Sequence, residues 1–488
     1  MRIGEESAPR ADEFKAQELT NVRTRRADDV ILQEDAPPPP PQSNDDGLLS
    51  RAQVAWAFAT ANLDAPELFA AIADSATPRA TTFSPQELAN LAWAFAKRLG
   101  PALGTEPLEG GDARDVRCAA ASTDLFDAIS RQCVEFFPEN EFKPQEIANV
   151  CWAMATSAYR APDAFWDGAA NAAVIAMAEA RAQPQNMANT VWAFAKDGGG
   201  TPAVRKAAFE RLAGYSAARI DEFNPQELGN TVWAFATAEH DAPELFAAVA
   251  KTAAPRVDRF IAQNLANTAW AFATAEVHAP GLFDAVVDES ARRLDQFKPQ
   301  EVGNVAWAVA TASRTRRRAL GIDADGVHSE ERLRGAWGTP EAPSLQRALF
   351  AKASRRDDWA DFSDQGLSNV AWAFAASGEA DANPRLFAQL AKEVPSRLSR
   401  MQPQGISNTA WAFATAEQSY DATPPRKSRS FVPALRRRPR FSAMSRSGAR
   451  TRPRDRGSTP AGIPISSTRW RRKSAATPDE WRRSTRKS

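Results

Sequence analysis

The sequence predicts an all-α protein, an α-solenoid of paired-helix repeats with a period of about 37–41 residues. Three observations predict it. Residues 223–260 read FNPQELGNTVWAFATAEHDAPELFAAVAKTAAPRVDRF, and residues 260–297 say nearly the same again as FIAQNLANTAWAFATAEVHAPGLFDAVVDESARRLDQF. A W-A-x-A signature recurs at Trp56, Trp93, Trp152, Trp192, Trp233, Trp270, Trp307, Trp372 and Trp411; its spacings are 37, 59, 40, 41, 37, 37, 65 and 39. Each unit also carries start signals for two helices, and strand signals are absent.

In chain order, residues 1–50 hold a broken first repeat. Phe14 to Val22, FKAQELTNV, is already the middle of a unit, and a disruption with five prolines at 37–41 follows it. On sequence the chain is expected to begin inside its own array; its acidic start resembles neither a secretory signal nor a transit peptide. The array itself is expected over 51–420. Its two long spacings imply inserts near 97–118 and 313–340, rich in Gly, Asp and Arg, which read as surface loops or as gene-model errors. Residues 421–488 form a basic tail expected to be disordered.

Within a unit, the second helix opens at F-[S/N/K]-P-Q-E. Ser84 or Asn224 suits the N-cap, Pro85 or Pro225 the first helical position, and Glu87 or Glu227 the capping-box position. The first helix opens near Pro66, Pro243 or Pro280 and is expected to run to the R-x-D-x-F that precedes the next cap. With Gln at 0° and about 100° per residue, Asn four residues on lies near 40° and Trp seven on near 340°. The Leu two residues on lies near 200° and the Phe nine on near 180°. Large apolar groups on opposite faces predict a helix buried between layers. Trp233 and Phe235 should each meet a neighbouring helix, one in its own unit and one in the next.

Eight units repeat the amides: Asn90, Asn149, Asn189, Asn230, Asn267, Asn304, Asn369 and Asn408, each four residues after Gln86, Gln145, Gln185, Gln226, Gln263, Gln300, Gln365 and Gln404. They are either ligand readers or a buried hydrogen-bond ladder joining units. A reader identical in every unit recognises only a monotonous ligand, so the structural ladder is the expected role. Information must sit where units differ, in the turn leading into the first helix. The candidate readers there are Arg160, Asp163, His240, Asp241, Glu244, His278 and Arg385, against a bland reading as solvated loop variation.

Chemistry is hard to place on this chain. The three histidines, His240, His278 and His328, have no Cys or His partner at ligand spacing, so no metal site is expected. Cys118, Cys133 and Cys151 form neither a zinc pattern nor a disulfide framework and read as reduced, incidental thiols. Gly198-Gly199-Gly200 lacks the Lys-Ser/Thr of a phosphate loop, and no GxSxG is present. The expectation is no enzyme, no cofactor and no small-molecule substrate. No run approaches the ~20 apolar residues of a transmembrane helix, so no membrane partner is expected either.

The signatures SPQELANLAWAFA (84–96), KPQEIANVCWAMA (143–155), NPQELGNTVWAFA (224–236) and AQNLANTAWAFA (262–273) resemble the octotricopeptide repeat over roughly residues 51–417. That family is related to FAST-kinase-like proteins ending in a RAP domain. The resemblance implies a helical-repeat protein of the chloroplast or mitochondrion that binds single-stranded RNA and works with other RNA-processing proteins in maturation, stability or translation. Two features depart from it. No RAP domain follows Trp411, and the array is acidic. Residues 421–488 carry 20 Lys+Arg against 4 Asp+Glu, which leaves 41 against 56 for residues 1–420. The tail reads as an RNA-binding arm or as out-of-frame translation of a GC-rich gene. A protein–protein scaffold of the armadillo or HEAT type is the alternative for the whole array, which its acidity would suit.

Overall fold

The computed structural model describes residues 51–100, 113–179, 182–319, 342–380 and 382–421. The chain divides into two units, Met1–Ser428 and Arg429–Ser488, of which the second lies outside the described residues, as do the expected broken repeat 1–50 and nearly all of the tail.

Among the described residues there are seventeen α-helices and no strand. They are α1 (Arg51–Thr60), α2 (Pro66–Ala76), α3 (Pro85–Leu99), α4 (Ala113–Phe136), α5 (Pro144–Thr156), α6 (Asp163–Glu179), α7 (Pro184–Asp197), α8 (Pro202–Ala218) and α9 (Pro225–Thr237). The series continues with α10 (Pro243–Ala253), α11 (Ala262–Thr274), α12 (Pro280–Arg292), α13 (Pro299–Ala319), α14 (Ala342–Ala353), α15 (Asp364–Ala376), α16 (Pro384–Arg397) and α17 (Pro403–Asp421). The odd helices are the second helices of the units and the even ones the first. Odd helices pack on odd helices in consecutive order, and even on even from α2 to α14, which makes two layers of a solenoid.

The caps form as their letters dictate. Ser84 Oγ accepts the Glu87 amide at 3.4 Å while the Ser84 amide donates to Glu87 Oε2 at 3.0 Å. Asn224 and Glu227 exchange the same pair of bonds at 3.0 and 2.7 Å. Where lysine stands at the cap only the backbone half survives, as in Lys143 N to Glu146 Oε2 at 2.8 Å, because an ammonium cannot accept. The first helices α8 and α12 run to the residue before R-x-D-x-F, as expected, and the motif itself forms a 3₁₀ turn there at Ile220–Glu222 and Leu294–Gln296, whereas α10 ends earlier, at Ala253 ahead of Arg256. The edges of the expected inserts near 97–118 and 313–340 are helical. Helix α3 runs to Leu99, α4 begins at Ala113, and α13 continues to Ala319. The remainder of both lies outside the described residues.

Phenylalanine joins the two layers within a unit. Phe69 meets Phe95 edge to face at 5.0 Å, Phe209 meets Phe235 at 5.1 Å, Phe246 meets Phe272 at 5.0 Å and Phe350 meets Phe374 at 4.6 Å. Each such pair adds about 0.5–1.5 kcal/mol to the burial of its rings. Between units, the second helices approach closely on small residues. A methyl group placed on Gly303 of α13 would stand 3.3 Å from Gly366 Cα of α15.

Candidate nucleic-acid interface

Tryptophan contacts run along the array rather than across it. Trp192 lies 6.1 Å from Trp233, and Trp233 lies 6.4 Å from Trp270. Trp307, Trp372 and Trp411 form a second run at 6.5 and 6.3 Å, and Trp93 pairs with Trp152 at 6.4 Å. Trp233 therefore touches the neighbouring units and Phe235 its own, which is the expected division of labour. The expected burial is found on the tryptophan side only at Trp56 and Trp93. Trp152, Trp192, Trp233, Trp270, Trp307 and Trp372 are half-buried, and Trp411 is 44% exposed. The first-helix layer covers only the Leu/Phe face, so the opposite face of the second helices is left to the solvent.

The amides share that face, which corrects the expected buried ladder. Asn90 and Asn189 are buried, whereas Asn149, Asn230, Asn267, Asn304, Asn369 and Asn408 are half-buried. Gln86, Gln145, Gln185 and Gln226 are half-buried, and Gln263, Gln300, Gln365 and Gln404 are exposed. Gln404 Nε2 donates to Asn408 Oδ1 at 2.9 Å, one turn apart in α17, and Asn90 Nδ2 is buried without a partner.

Several hydrogen bonds between units come from arginines near the ends of the first helices, beside the bond from Ser368 Oγ of α15 to Gly405 O of α17 at 3.1 Å. Arg219 Nη1 donates to the Ala182 carbonyl at 2.7 Å, and Arg293 Nη2 to the Phe260 carbonyl at 2.7 Å. Arg356 reaches the Leu294 and Phe297 carbonyls at 3.2 Å each. Arg397 donates to Ala360 O at 2.7 Å, Trp359 O at 3.4 Å and Phe362 O. A guanidinium has five donors in a rigid fork, and so one side chain can hold several carbonyls of the preceding turn. Arg219 and Arg293 stand at the head of R-x-D-x-F, and so does Arg256, whose Nε instead donates to Thr252 O in its own unit at 2.9 Å.

Among the candidate readers, His240, Asp241 and His278 sit on one recurring backbone shape. After the second helix, the His240 amide donates to Phe235 O at 3.0 Å and that of Val277 to Phe272 O at 3.0 Å; Glu379 does the same to Phe374 O at 2.9 Å and Leu63 to Phe58 O at 3.1 Å. The residue before each has positive φ: Glu239 at 52°, Glu276 at 55°, Gly378 at 73° and Asn62 at 51°. This is a Schellman ending, in which the residue after the left-handed one packs back on the helix. His240 accordingly stacks on Phe209 at 5.6 Å and meets Phe235 at 5.8 Å. It is half-buried rather than a solvated loop residue, and burial lowers its pKa.

One position further on, Asp64, Asp241 and His278 are exposed on the same backbone frame, while Arg160 is exposed after a different ending, in which Ser157 is extended and the Ala158 amide donates to Gly100 O at 2.8 Å. Glu244 is exposed on the first turn of α10. Two candidates are tied to neighbours. Asp163 accepts the Gly200 amide at 3.0 Å, and Arg385 pairs with Asp357 at 2.6 Å. Sequence reasoning missed Arg205 and Lys206, which line a groove of about 510 Å³ with Phe209, His240 and Asp241. Arg205 is anchored by the carbonyls of Gly198 and Gly199. The readers are thus spread along the array, one turn per unit, rather than gathered in one cleft.

Cys118, Cys133 and Cys151 are free and buried. Burial pushes the Cys118 thiol up to about 11 and the other two further up, which leaves them unreactive near neutral pH.

Residues 116–322, which span α4 to α13, match the family model described as RNA-editing substrate-binding complex 6 protein. No curated protein matches the chain.

Proposed function

We propose that the array binds single-stranded RNA and acts in organellar RNA processing, stability or translation, in the chloroplast or mitochondrion, as a binding protein with no catalytic step of its own. The observation that carries this reading is the match of residues 116–322 to an RNA-editing substrate-binding family model, since the matched residues are the repeat units themselves. The octotricopeptide-like signatures support the same class. So does a solvent face of amides and half-exposed indoles, which suits base stacking and neutral hydrogen bonding. Other RNA-processing proteins are the expected partners.

The test separates the array from the tail. The full chain and a chain ending at Tyr420 are titrated with pools of single-stranded RNA at several salt concentrations. Each phosphate neutralised contributes about −0.7 to the slope of log affinity against log salt. The shorter chain should bind more weakly, with a shallower slope, and keep the sequence preference of the full one. If it binds no RNA at any salt, the array is not the reader.

A further inference from the structure

The solvent face of the second helices is chemically uniform. On α13, Gln300, Asn304, Trp307 and Thr311 follow each other by one turn, and the four corresponding positions on the other seven second helices that carry the Gln–Asn pair repeat the pattern. Together these positions hold no Asp or Glu and two lysines, Lys97 and Lys196, in a stretch 1–420 that carries 56 acidic residues against 41 basic ones. Lys97 Nζ sits 5.3 Å from the Trp93 ring, so its charge lies on the stripe. Acid has been kept off this one face of an acidic array.

We propose that this amide–indole stripe is the bed for the sugar–phosphate backbone of a single-stranded RNA, and that base identity is sensed beside it by the exposed turn residues such as Asp241 and His278. The inference rests on the RNA-binding reading and says where the strand lies. A donor set that is identical at each step fits a ligand that is identical at each step. In a nucleic acid that part is the phosphate and ribose, not the base. Carboxamide N–H groups donate to phosphate oxygens, and carboxamide oxygens accept from the 2′-hydroxyl, which DNA lacks. Half-exposed indoles offer an apolar shelf for ribose or base. The second helices supply one such set per unit, at a helix-to-helix step of about 8–10 Å. An extended peptide also has a monotonous backbone, but it gives no reason for excluding carboxylates. A polyanion does.

The experiment uses the full chain at raised salt, where the basic tail is screened. Gln300, Gln365 and Gln404 are exposed, so Gln300→Glu, Gln365→Glu and Gln404→Glu together should leave the helical content and melting unchanged. Affinity for random-sequence single-stranded RNA should fall about tenfold through three exposed like-charge contacts. The Gln→Ala triple should lose less, and should lose part of the preference for RNA over DNA of the same sequence. If the unaltered chain binds RNA and the Glu triple binds it equally well, the strand lies elsewhere and this inference falls, while the RNA-binding reading stands. If the unaltered chain binds no RNA, that reading falls first and the inference with it. A peptide that displaces RNA from the unaltered chain and binds the Glu triple undiminished would also overturn it, by putting a protein segment on the stripe.

Discussion

Arg397 offers the sharpest test of what joins the units. Its side chain is 7% exposed, and its guanidinium donates to Ala360 O at 2.7 Å, to Trp359 O at 3.4 Å and to Phe362 O. Asp364 at 3.5 Å and Glu393 at 3.6 Å balance its charge. Hydrogen bonds to a charged donor contribute about 1.5–3 kcal/mol each, though they do not add fully when they share one group. Arg397→Ala removes the donor to the Ala360 and Phe362 carbonyls and the cation beside Glu393, while Trp359 O keeps the Phe362 amide and Asp364 keeps Arg400. The change should cost about 3 kcal/mol. Arg397→Lys keeps the charge but loses the fork, and should recover only part of the loss. Asn230→Leu is the control. On the half-buried amide face it should cost about 1 kcal/mol or less, because its surroundings can still reach water. A solenoid opens locally, so urea denaturation should be read together with amide hydrogen exchange across α15 to α17. A loss below about 1 kcal/mol for Arg397→Ala, or a larger one for Asn230→Leu, would return the unit-joining role to the amides.

Two further outcomes follow from the turns. Exchanging Asp241 for His, and His278 for Asp, should change RNA sequence preference in a selection from a random pool, with melting unchanged, because both side chains are exposed on the same backbone frame. His240 should behave differently. Burial lowers its pKa in the folded chain from the ordinary 6.5, against the attraction of Glu210 and Asp241 and with the repulsion of Lys206. The unfolded state therefore binds more protons, so its stabilising effect is complete above about pH 6.5 and is lost as pH falls below that. His240→Phe should flatten this acid-side loss in thermal melts taken from neutral to mildly acidic pH, and an unchanged profile would refute the assignment.

The sequence by itself determined the class of fold, the helix starts and the rule that one of Phe235 and Trp233 meets its own unit and the other the next. Period, caps and face angles are local properties, and Ser84, Pro225 and Glu227 act within their own turn. It also located the variable turns, since His240 and His278 could be aligned by counting from their tryptophans. What only the tertiary structure decided was which face of the second helix the first-helix layer covers. A helical wheel shows two apolar faces at Phe235 and Trp233 but not which of them meets a second layer. That choice turned the amides from a buried ladder into a solvent-side stripe. It moved the inter-unit bonds to Arg219, Arg293, Arg356 and Arg397, and it split His240, packed on Phe209, from Asp241, facing water. Each depends on what stands some 31–62 residues away in sequence.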